Sequence, residues 1–464
     1  MGVLLTAMPV TGCVRYHAVP ITPEASLEDF EARRLDAPEL GTFLQERGET
    51  SAWPPSAFDL HDLTLAAFYY SPALDVARAQ WGVARGGVIT AGARPNPSVT
   101  GALGYNATTP VDEVTPWIPE VALELPIEVA GKRGIRIAEA RQRSESARYA
   151  LLTTAWQVRS RVRQAFLDLH VARQTDSLLN RQFAILTETV RILEARRAAG
   201  ETSPTEVTRA HIDLAASRAA AFDAARAAAV ARSELADALG VPPGALDSIR
   251  LDFAELRSAG AALPSADVRR RALLNRTDLL GALADYGASQ SALQLEVRKQ
   301  YPDLTLGPGY QLDQTDSKWI LGLGISLPSF NRNRGPIAEA AARREEAAAA
   351  FLTIQSRVLG EVESAVASAG ASIAQVQAAD TLLQALGRQQ ATAQAAYDAG
   401  EISRLDLLGL QAEMVSTALT RLDALAMAQR TLGALEDAMQ TPLDIGPWVL
   451  EAPRRSNRRE GDGR

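Results

Sequence analysis

The chain has 464 residues, of which 47% are hydrophobic and only 5% aromatic, and its 48 Lys and Arg against 55 Asp and Glu give a net charge of −7. This balance argues against a dedicated nucleic-acid-binding protein, which usually carries a basic excess. No uncharged apolar run reaches the roughly 18 residues that a membrane-spanning helix requires. The composition therefore predicts no transmembrane helix.

The first residues resemble a bacterial lipoprotein signal. The single cysteine, Cys13, follows Val10-Thr11-Gly12 and a mostly apolar stretch, as in a lipobox, where lipidation of the cysteine anchors a protein without a spanning helix. A chance cysteine is the alternative, because only twelve residues precede it and none is Lys or Arg, whereas a secretory signal begins with positive charge. A start codon assigned too far downstream accounts for both. We predict a truncated signal peptide with lipobox over 1–13 and an extended segment over 14–58.

The rest of the chain contains two copies of one plan, since short segments recur in the same order about 200 residues apart. The matching pairs are 97–101 with 302–306, Trp117 with Trp319, 137–140 with 337–340, and 199–201 with 399–401. We place the first repeat at 59–240 and the second at 265–446. A linker or equatorial segment at 241–264 joins them, and a disordered tail at 447–464 follows.

Each repeat contains two segments in which apolar residues alternate with polar residues or glycine, which predicts β-strands. The four segments are 97–106, 117–126, 302–312 and 318–328. About ten residues is the length that crosses a bilayer as β-structure. An aromatic belt at one membrane interface would lie beside the turns of these hairpins, where the sequence places Tyr105, Trp117, Tyr310 and Trp319. Hairpins packed on a soluble core are the alternative.

Four strands cannot close a barrel, because about eight strands are the practical minimum. An open sheet edge in lipid is also forbidden, since its backbone groups would have no hydrogen-bond partners. The membrane interpretation therefore requires several copies of the chain. Two copies would supply eight strands and three would supply twelve.

A long helical hairpin follows the strands in each repeat, at about 137–239 and 336–440, where apolar residues recur at steps of three and four. Gly200 and Gly400 suit the C-terminal caps of the first helices. Ser203 and Ser403 then suit the N-caps of the returning helices.

These features together resemble an outer-membrane efflux protein of the TolC family. The resemblance rests on the duplicated plan, on the repeated Ala-Gly-Glu breaks at 199–201 and 399–401, and on the segment LPSFNRNRG at 327–335, in a form common among heavy-metal efflux members. It implies a mainly α fold with transmembrane β-structure, internally duplicated. Four β-strands per chain complete a trimeric 12-stranded barrel, and long α-helical hairpins form a tunnel.

The resemblance also implies the function and the partners. Such a protein is the passive exit duct of a tripartite efflux system, located in the outer membrane, lipid-anchored, with a large periplasmic extension. Its partners are two further copies in a homotrimer, a periplasmic adaptor protein and an inner-membrane transporter of the RND type.

Site residues follow from the resemblance as well. The hairpin turns meet the adaptor, which implies docking residues Arg196, Gly200, Ser203, Gly400 and Ser403. Ala396 replaces the arginine in the second copy. Family members often narrow the tunnel entrance with an acidic ring after the second turn, the position of Asp406, whose counterpart is Glu206. The alternative for Asp406 is a solvated carboxylate favoured by the helix dipole.

We find no pattern typical of catalysis, cofactor binding or a metal site. The four histidines, His17, His61, His170 and His211, lack paired-ligand spacing, and neither a phosphate-binding loop nor a GxSxG motif occurs. We therefore predict a non-enzyme without cofactor, metal or nucleic acid. The alternatives to a duct are a lipid-anchored periplasmic adaptor, which normally has a single helical hairpin, and a structural coiled-coil protein without a pore.

Overall fold

The computed structural model describes residues 16–46, 53–108, 114–258 and 268–440. Cys13 and the predicted tail lie outside the described residues. The helices are α1 (Pro23–Glu31), α2 (Pro38–Gln45), α3 (Leu60–Tyr70), α4 (Pro72–Gly92), α5 (Lys132–Ala198), α6 (Pro204–Leu239), α7 (Val268–Asn275), α8 (Thr277–Arg298), α9 (Arg334–Asp398) and α10 (Arg404–Met439). The strands are β1 (Ser98–Tyr105), β2 (Trp117–Ile127), β3 (Leu304–Asp313) and β4 (Asp316–Ile325).

The duplicated plan is present in the structure. The series α4-β1-β2-α5-α6 recurs as α8-β3-β4-α9-α10, and the strand ends differ from the predicted ones by at most three residues. The first helix of each series was not predicted. In α4 only Leu74, Ala77 and Arg78 are buried, so this helix carries no long apolar stripe that sequence periodicity could detect.

The expectation of an extended segment over 14–58 was wrong, because it contains α1 and α2, which each begin with a proline in the first turn. Proline is favoured at that position, where its missing N–H has no helical partner in any case. Leu35, Leu40 and Leu44 from this segment are fully buried. They belong to a cluster with α3, the middle of α5 and the end of α6, so the N-terminal segment is part of the core.

The four strands form one antiparallel sheet in the order β1-β2-β3-β4. The register places Tyr105 opposite Trp117, Val121 opposite Tyr310, and Tyr310 opposite Trp319. Because side chains alternate between faces along a strand, this register puts the apolar residues of all four strands on the same face. β1 and β4 are the outer strands, and each therefore has one edge that no strand of this sheet pairs.

The long helices form a layer that continues from the sheet. Nearest to the sheet, α4 and α8 both pack on α5, and α8 also packs on α9. Farther away, α6 packs on α5, α10 packs on both α5 and α9, and the lateral order becomes α6-α5-α10-α9. One lateral side of the chain therefore carries β1, α4 and α6, and the opposite side carries β4 and α9.

A buried arginine, Arg276, connects α8 and α9 within the second repeat. The Arg276 side chain is only 7% exposed, and its guanidinium donates to both carboxylate oxygens of Asp278 at 3.0 and 2.7 Å and to Glu361 at 2.6 Å. Burial acts to raise the pKa of the Asp278 carboxyl, but the hydrogen bonds and charge of Arg276 outweigh it and hold this pKa below its ordinary value. The network thus fastens the start of α8 to α9.

We expect Arg276→Ala to lower the free energy of unfolding by about 3 kcal/mol, because it leaves partly buried carboxylates without their main partner. Denaturant unfolding followed by circular dichroism measures this. Since the folded-state pKa of Asp278 is depressed, its contribution is present above the unfolded pKa of about 4 and is lost as the pH falls through the folded value. The difference between wild type and variant should therefore shrink in acid.

The control is Arg343→Ala, which removes an exposed pair with Glu339 within α9. A loss of less than about 0.5 kcal/mol is expected there. Equal effects of the two substitutions would contradict the role given to Arg276.

Candidate functional site: the sheet surface and the hairpin tips

The apolar face of the sheet is exposed in the isolated chain. Trp319 is 82% exposed and Leu323 is 70% exposed. Their neighbours on this face are also exposed large apolar residues, namely Val99, Leu103, Tyr105, Trp117, Val121, Ile127, Leu321 and Ile325. Such a contiguous apolar surface marks a site of contact with lipid or with another protein.

Apart from Ile118 and Ile320, the opposite face of the sheet is polar or small. Gln311 lies between Glu120 of β2 and Lys318 of β4, and Lys318 forms an ion pair with Asp313. At the other end of β2, the Ser98 hydroxyl donates to Glu124 at 3.3 Å. The two faces therefore differ in chemistry over most of the sheet, as strands between lipid and water require.

The four predicted belt residues form two cross-strand pairs near the hairpin turns. The ring centroids of Tyr105 and Trp117 are 4.9 Å apart, and those of Tyr310 and Trp319 are 5.1 Å apart. Tyr310 lies opposite Val121, four residues along β2 from Trp117, which is about 13 Å along the strand. The sequence located both pairs beside their turns but gave no sign of this offset.

The two hairpin tips share one backbone structure. Gly200 and Gly400 have φ values of +81° and +80°, in the left-handed region that glycine enters without a Cβ clash. The N–H of Glu201 donates to the Arg196 carbonyl at 2.8 Å, and the N–H of Glu401 donates to the Ala396 carbonyl at 2.8 Å. This is the Schellman end of a helix, formed twice.

The helices that return from the tips are capped by serine. The Ser203 hydroxyl accepts from the Glu206 N–H at 3.2 Å, and the Ser403 hydroxyl accepts from the Asp406 N–H at 3.3 Å. At the second tip the Asp406 carboxylate also accepts from the Ser403 N–H at 3.0 Å. Asp406 therefore completes a capping box, while the Glu206 carboxylate accepts instead from the Thr202 hydroxyl.

Asp406 is exposed, and its pKa is lowered from its ordinary value. The largest cause is the hydrogen bond with the Ser403 side chain, followed by that from the Ser403 backbone, and the charge of Arg196 acts in the same direction. The carboxyl is therefore ionised at neutral pH. Ile192 of α5 packs against the cluster that contains Leu408 of α10, so the two tips lie side by side.

The histidines do not form a site. The His211 ring nitrogen is 2.9 Å from the Glu194 carboxylate, a contact that joins α6 to α5 near the first tip. The His170 ring lies 4.9 Å from the Phe253 ring, at a tilt of 31°. In the described ranges, no group of three or more His, Cys, Asp or Glu side chains is arranged to hold a metal ion.

Among the helices of the described residues, none is both long enough and apolar enough to cross a membrane.

Comparison with known proteins decides the family. Residues 67–241 and 268–440 match the family described as Outer membrane efflux protein. The chain belongs to this family. The two matched segments correspond to the two repeats, and the predicted resemblance to TolC-family outer-membrane efflux proteins is confirmed.

Two characterised relatives and one solved structure resemble this efflux protein. The cobalt-zinc-cadmium resistance protein CzcC of Cupriavidus metallidurans is 27% identical over 298 residues, which are 62% of this chain and 69% of CzcC. The pyoverdine export outer membrane protein OpmQ of Pseudomonas aeruginosa is 25% identical over 51% of this chain and 50% of its own length. The structure of VceC from Vibrio cholerae has a TM-score of 0.66 and 21% identity, and the match covers 82% of this chain and 95% of VceC.

The predicted fold class, function and location are thereby confirmed in outline. This efflux protein is an outer-membrane channel component with long periplasmic helices, rather than a periplasmic adaptor or a coiled-coil protein without a pore. The roles of individual tip, belt and lipidation residues stay predictions.

Sequence reasoning missed the contacts that join the two repeats. The Lys132 ammonium donates to the Tyr301 carbonyl at 2.6 Å and to Asp303 at 2.9 Å. These contacts lie at the end of the sheet opposite its hairpin turns. Farther along α5, the Trp156 indole N–H donates to Asp437 at 3.0 Å. Each pair is separated by more than 160 residues in sequence, so no local pattern could have identified it.

Proposed function

We propose that three copies of this chain close a twelve-stranded barrel in the outer membrane and act as the exit duct of a tripartite efflux pump. The observation that carries the proposal is the sheet with two distinct faces and an unpaired edge on each outer strand. Joining β4 of one copy to β1 of the next is a head-to-tail contact, which closes into a ring when its rotation permits. Two copies give only eight strands, and three give the wider channel that a tunnel requires.

The apolar face then contacts lipid and the polar face lines the channel. Along β4, the apolar face extends from Trp319 to Ile325, which is six residue steps or about 20 Å at 3.3 Å per residue, and the exposed Leu327, two residues beyond the strand, extends it further. An outer-membrane barrel has an apolar band of about 25 Å. Tyr310 and Trp319 lie at the turn end of this band, and Tyr105 and Trp117 lie about 13 Å farther along the strands in the same direction. The position of all four on the side of the turns supports their belt role.

The hairpin tips are then the contact for a periplasmic adaptor, with an inner-membrane transporter of the RND type beyond it. Rigid backbone geometry at Gly200, Ser203, Gly400 and Ser403 supports this role, because both tips present the same turn. Arg196 gives the first tip a cation that the second lacks. Lipidation of Cys13 would add a membrane anchor, and the protein acts as a conduit rather than as an enzyme.

We further propose that the exported species are divalent metal cations. The name of CzcC assigns that relative to cobalt, zinc and cadmium resistance, whereas the name of OpmQ assigns it to pyoverdine export. The match to CzcC covers more of both chains, and Glu120 and Glu124 on the polar face give the proposed channel wall a negative charge that favours cations.

The barrel is tested by Leu323→Arg, at the centre of the apolar band on β4. An arginine facing lipid at mid-membrane costs about 2–4 kcal/mol, so we expect less oligomer in the outer-membrane fraction, measured by mobility of unheated and heated samples in gel electrophoresis. Gln311→Arg, on the polar face, is the matched control and should insert normally. Normal insertion of Leu323→Arg would exclude a lipid-facing position for this residue.

The entrance role of Asp406 is tested by Asp406→Ala, which shortens a side chain of the proposed acidic ring. We expect a higher single-channel conductance in planar bilayers, because the constriction widens. Asp406→Asn keeps the size of the side chain and an acceptor for the Ser403 N–H, so it separates the effect of width from that of charge. An unchanged conductance in Asp406→Ala would show that the carboxylate only caps α10.

The identity of the exported species is tested by deleting the gene in its host and measuring growth with added zinc, cobalt or cadmium. We expect growth to stop at a lower metal concentration in the deletion strain. Wild-type protein should restore tolerance, and Leu323→Arg should not. Unaltered metal tolerance with increased sensitivity to organic compounds would instead assign the channel to small organic cargo.

A further inference from the structure

The turn that joins β4 to α9 exposes large apolar side chains. Phe330 is fully exposed, and Leu327 is 72% exposed. Leu327 lies two residues beyond Ile325, where β4 ends, and it extends the apolar face of that strand. An exposed apolar surface of this kind marks a site of contact with lipid or with another protein. The turn therefore continues the apolar face of the sheet toward the helices.

Two exposed arginines, Arg332 and Arg334, follow Phe330 in the same turn. Among the described residues, neither side chain has an ion pair or a hydrogen bond. No acidic residue lies between Asp316 and Glu339, and Glu339 is paired with an arginine of its own helix. The turn thus carries two positive charges that the described part of the chain does not balance.

Two asparagines hold the turn in place. The Asn331 side-chain oxygen accepts from the Asn333 N–H at 2.9 Å. The Asn333 side-chain amide donates to the Glu296 carbonyl and carboxylate, both at 2.8 Å, and so fastens the turn to the end of α8. Asn333 has a φ of +58°, in the left-handed region that asparagine enters more readily than most residues. The asparagines therefore make the internal contacts, and Phe330 and the two arginines are left for a partner outside the chain.

The equivalent turn of the first repeat balances its charges within the chain. At the offset of 202 residues that also relates the two Leu-Pro pairs, Glu128 corresponds to Phe330 and Lys132 to Arg334. Glu128 pairs with a neighbouring arginine, and the Lys132 ammonium donates to Asp303 at 2.9 Å. The second repeat has an aromatic ring in place of the paired acid, and its cation has no acceptor among the described residues. An anion for this cation has to come from elsewhere.

The stability of α9 does not explain the charge of Arg334. This arginine is the first residue of α9, where the positive end of the helix dipole disfavours a cation. The first turn of α9 has no acidic residue, and Asn333 makes no side-chain capping bond. Local helix energetics therefore favour a neutral or acidic residue here, and a contact with an external anion would reverse that preference.

The sheet determines where this turn lies in the proposed barrel. The hairpin turns are at one end of the sheet, and the turn into α9 is at the opposite end, on the side of the long periplasmic helices. The hydrocarbon core of a bilayer is about 30 Å thick, and the headgroups on both sides bring it to about 40–45 Å. Phe330 is three residues beyond Leu327, which is at most about 10 Å. It therefore lies at the level of the headgroups, and the long arginine side chains can reach the phosphates.

We propose that Phe330, Arg332 and Arg334 form a binding site for an anionic phospholipid in the periplasmic leaflet of the outer membrane. The two guanidinium groups bind the lipid phosphate, because their donors match the geometry of phosphate oxygens. The Phe330 ring packs at the boundary between headgroup and acyl chain. The occupant is a lipid because the site continues the face that contacts lipid in the proposed barrel. This inference rests on the proposed function and adds a headgroup site carried by the second repeat alone.

The test is the double variant Arg332→Gln with Arg334→Gln, purified in detergent as the full-length oligomer. It is titrated with phosphatidylglycerol in mixed micelles, and bound lipids are counted by native mass spectrometry. A cation near an anionic lipid surface is worth about fivefold in affinity. We therefore expect half-saturation at a roughly thirtyfold higher phosphatidylglycerol concentration than in the wild type. Millimolar inorganic phosphate should not displace the lipid, and displacement would indicate a site for free anions instead.

The matched control is Arg181→Gln with Arg388→Gln, which removes the same charge. Both arginines are exposed and have no ion pair among the described residues. They lie more than about 70 Å along α5 and α9 from the sheet, at 1.5 Å per residue. This variant should bind phosphatidylglycerol like the wild type. An equal loss in both variants would show a general effect of net charge and would overturn the site.

The position of Phe330 is tested by Phe330→Cys, labelled with an environment-sensitive fluorophore and inserted into vesicles that contain phosphatidylglycerol. Lipids with a nitroxide near the headgroup should quench the label, and iodide in the water should not. Labelled wild-type protein measures any contribution of Cys13. Quenching by iodide alone would place the side chain in water, and quenching by neither would place it under a neighbouring copy. Either result would overturn the lipid site.

Insertion separates this inference from the proposed function. If the oligomer inserts into vesicles but the Arg332 and Arg334 double variant binds phosphatidylglycerol as tightly as the wild type, the lipid site is wrong and the barrel stands. A protein that does not insert would overturn the barrel and the lipid site together.

Discussion

A backbone N–H or C=O group that faces lipid without a partner costs several kcal/mol. This cost requires a hydrogen-bonded neighbour for every edge of the sheet that lies in the membrane. β2 and β3 have both edges paired within the sheet, whereas β1 and β4 each have one edge that no strand of the described residues pairs. Because these edges lie on opposite lateral sides, one copy cannot satisfy its own strands. In the proposed assembly, the remaining hydrogen bonds come from neighbours in a head-to-tail ring. The helices obey the same geometry, since α4 and α6 continue the side of β1, and α9 continues the side of β4.

The two repeats resemble each other more closely in backbone conformation than in side-chain identity. Both tips have a left-handed glycine, a Schellman hydrogen bond and a serine cap, because these features depend on local geometry that each helical hairpin needs in order to turn. The side chains around the tips differ: Arg196 corresponds to Ala396, and the carboxylates of Glu206 and Asp406 bind different partners. A ring of three chains would thus present six similar turns with two alternating surface chemistries. An adaptor can distinguish these surfaces by charge although the turns have the same shape.

Much of this architecture could be predicted from the sequence because its signals are local and are repeated. The alternation of apolar and polar residues over 97–106 predicts which face of the strand is apolar. Gly200 and Ser203 predict where one helix ends and the next begins. Neither prediction needs information about distant residues. The helix α4 escaped prediction because it buries few residues, and α1 and α2 because they have only nine and eight residues. The offset between the two aromatic pairs depends on the register of β2 with β3, and the Lys132–Asp303 and Trp156–Asp437 contacts depend on tertiary packing. None of these has a signal within a window of sequence.

The position of Asp406 connects helix capping with the proposed constriction. Its carboxylate accepts from the hydroxyl and from the N–H of Ser403, and these contacts lower its pKa, so its charge is fixed to the first turn of α10. A widening of the entrance that moved Asp406 by unwinding this turn would break the capping box. A widening that moved α10 together with its tip would retain the cap and carry the charge outward. The second motion loses no hydrogen bond at the tip, and the seams between helices, rather than the caps, would then determine how far the entrance opens.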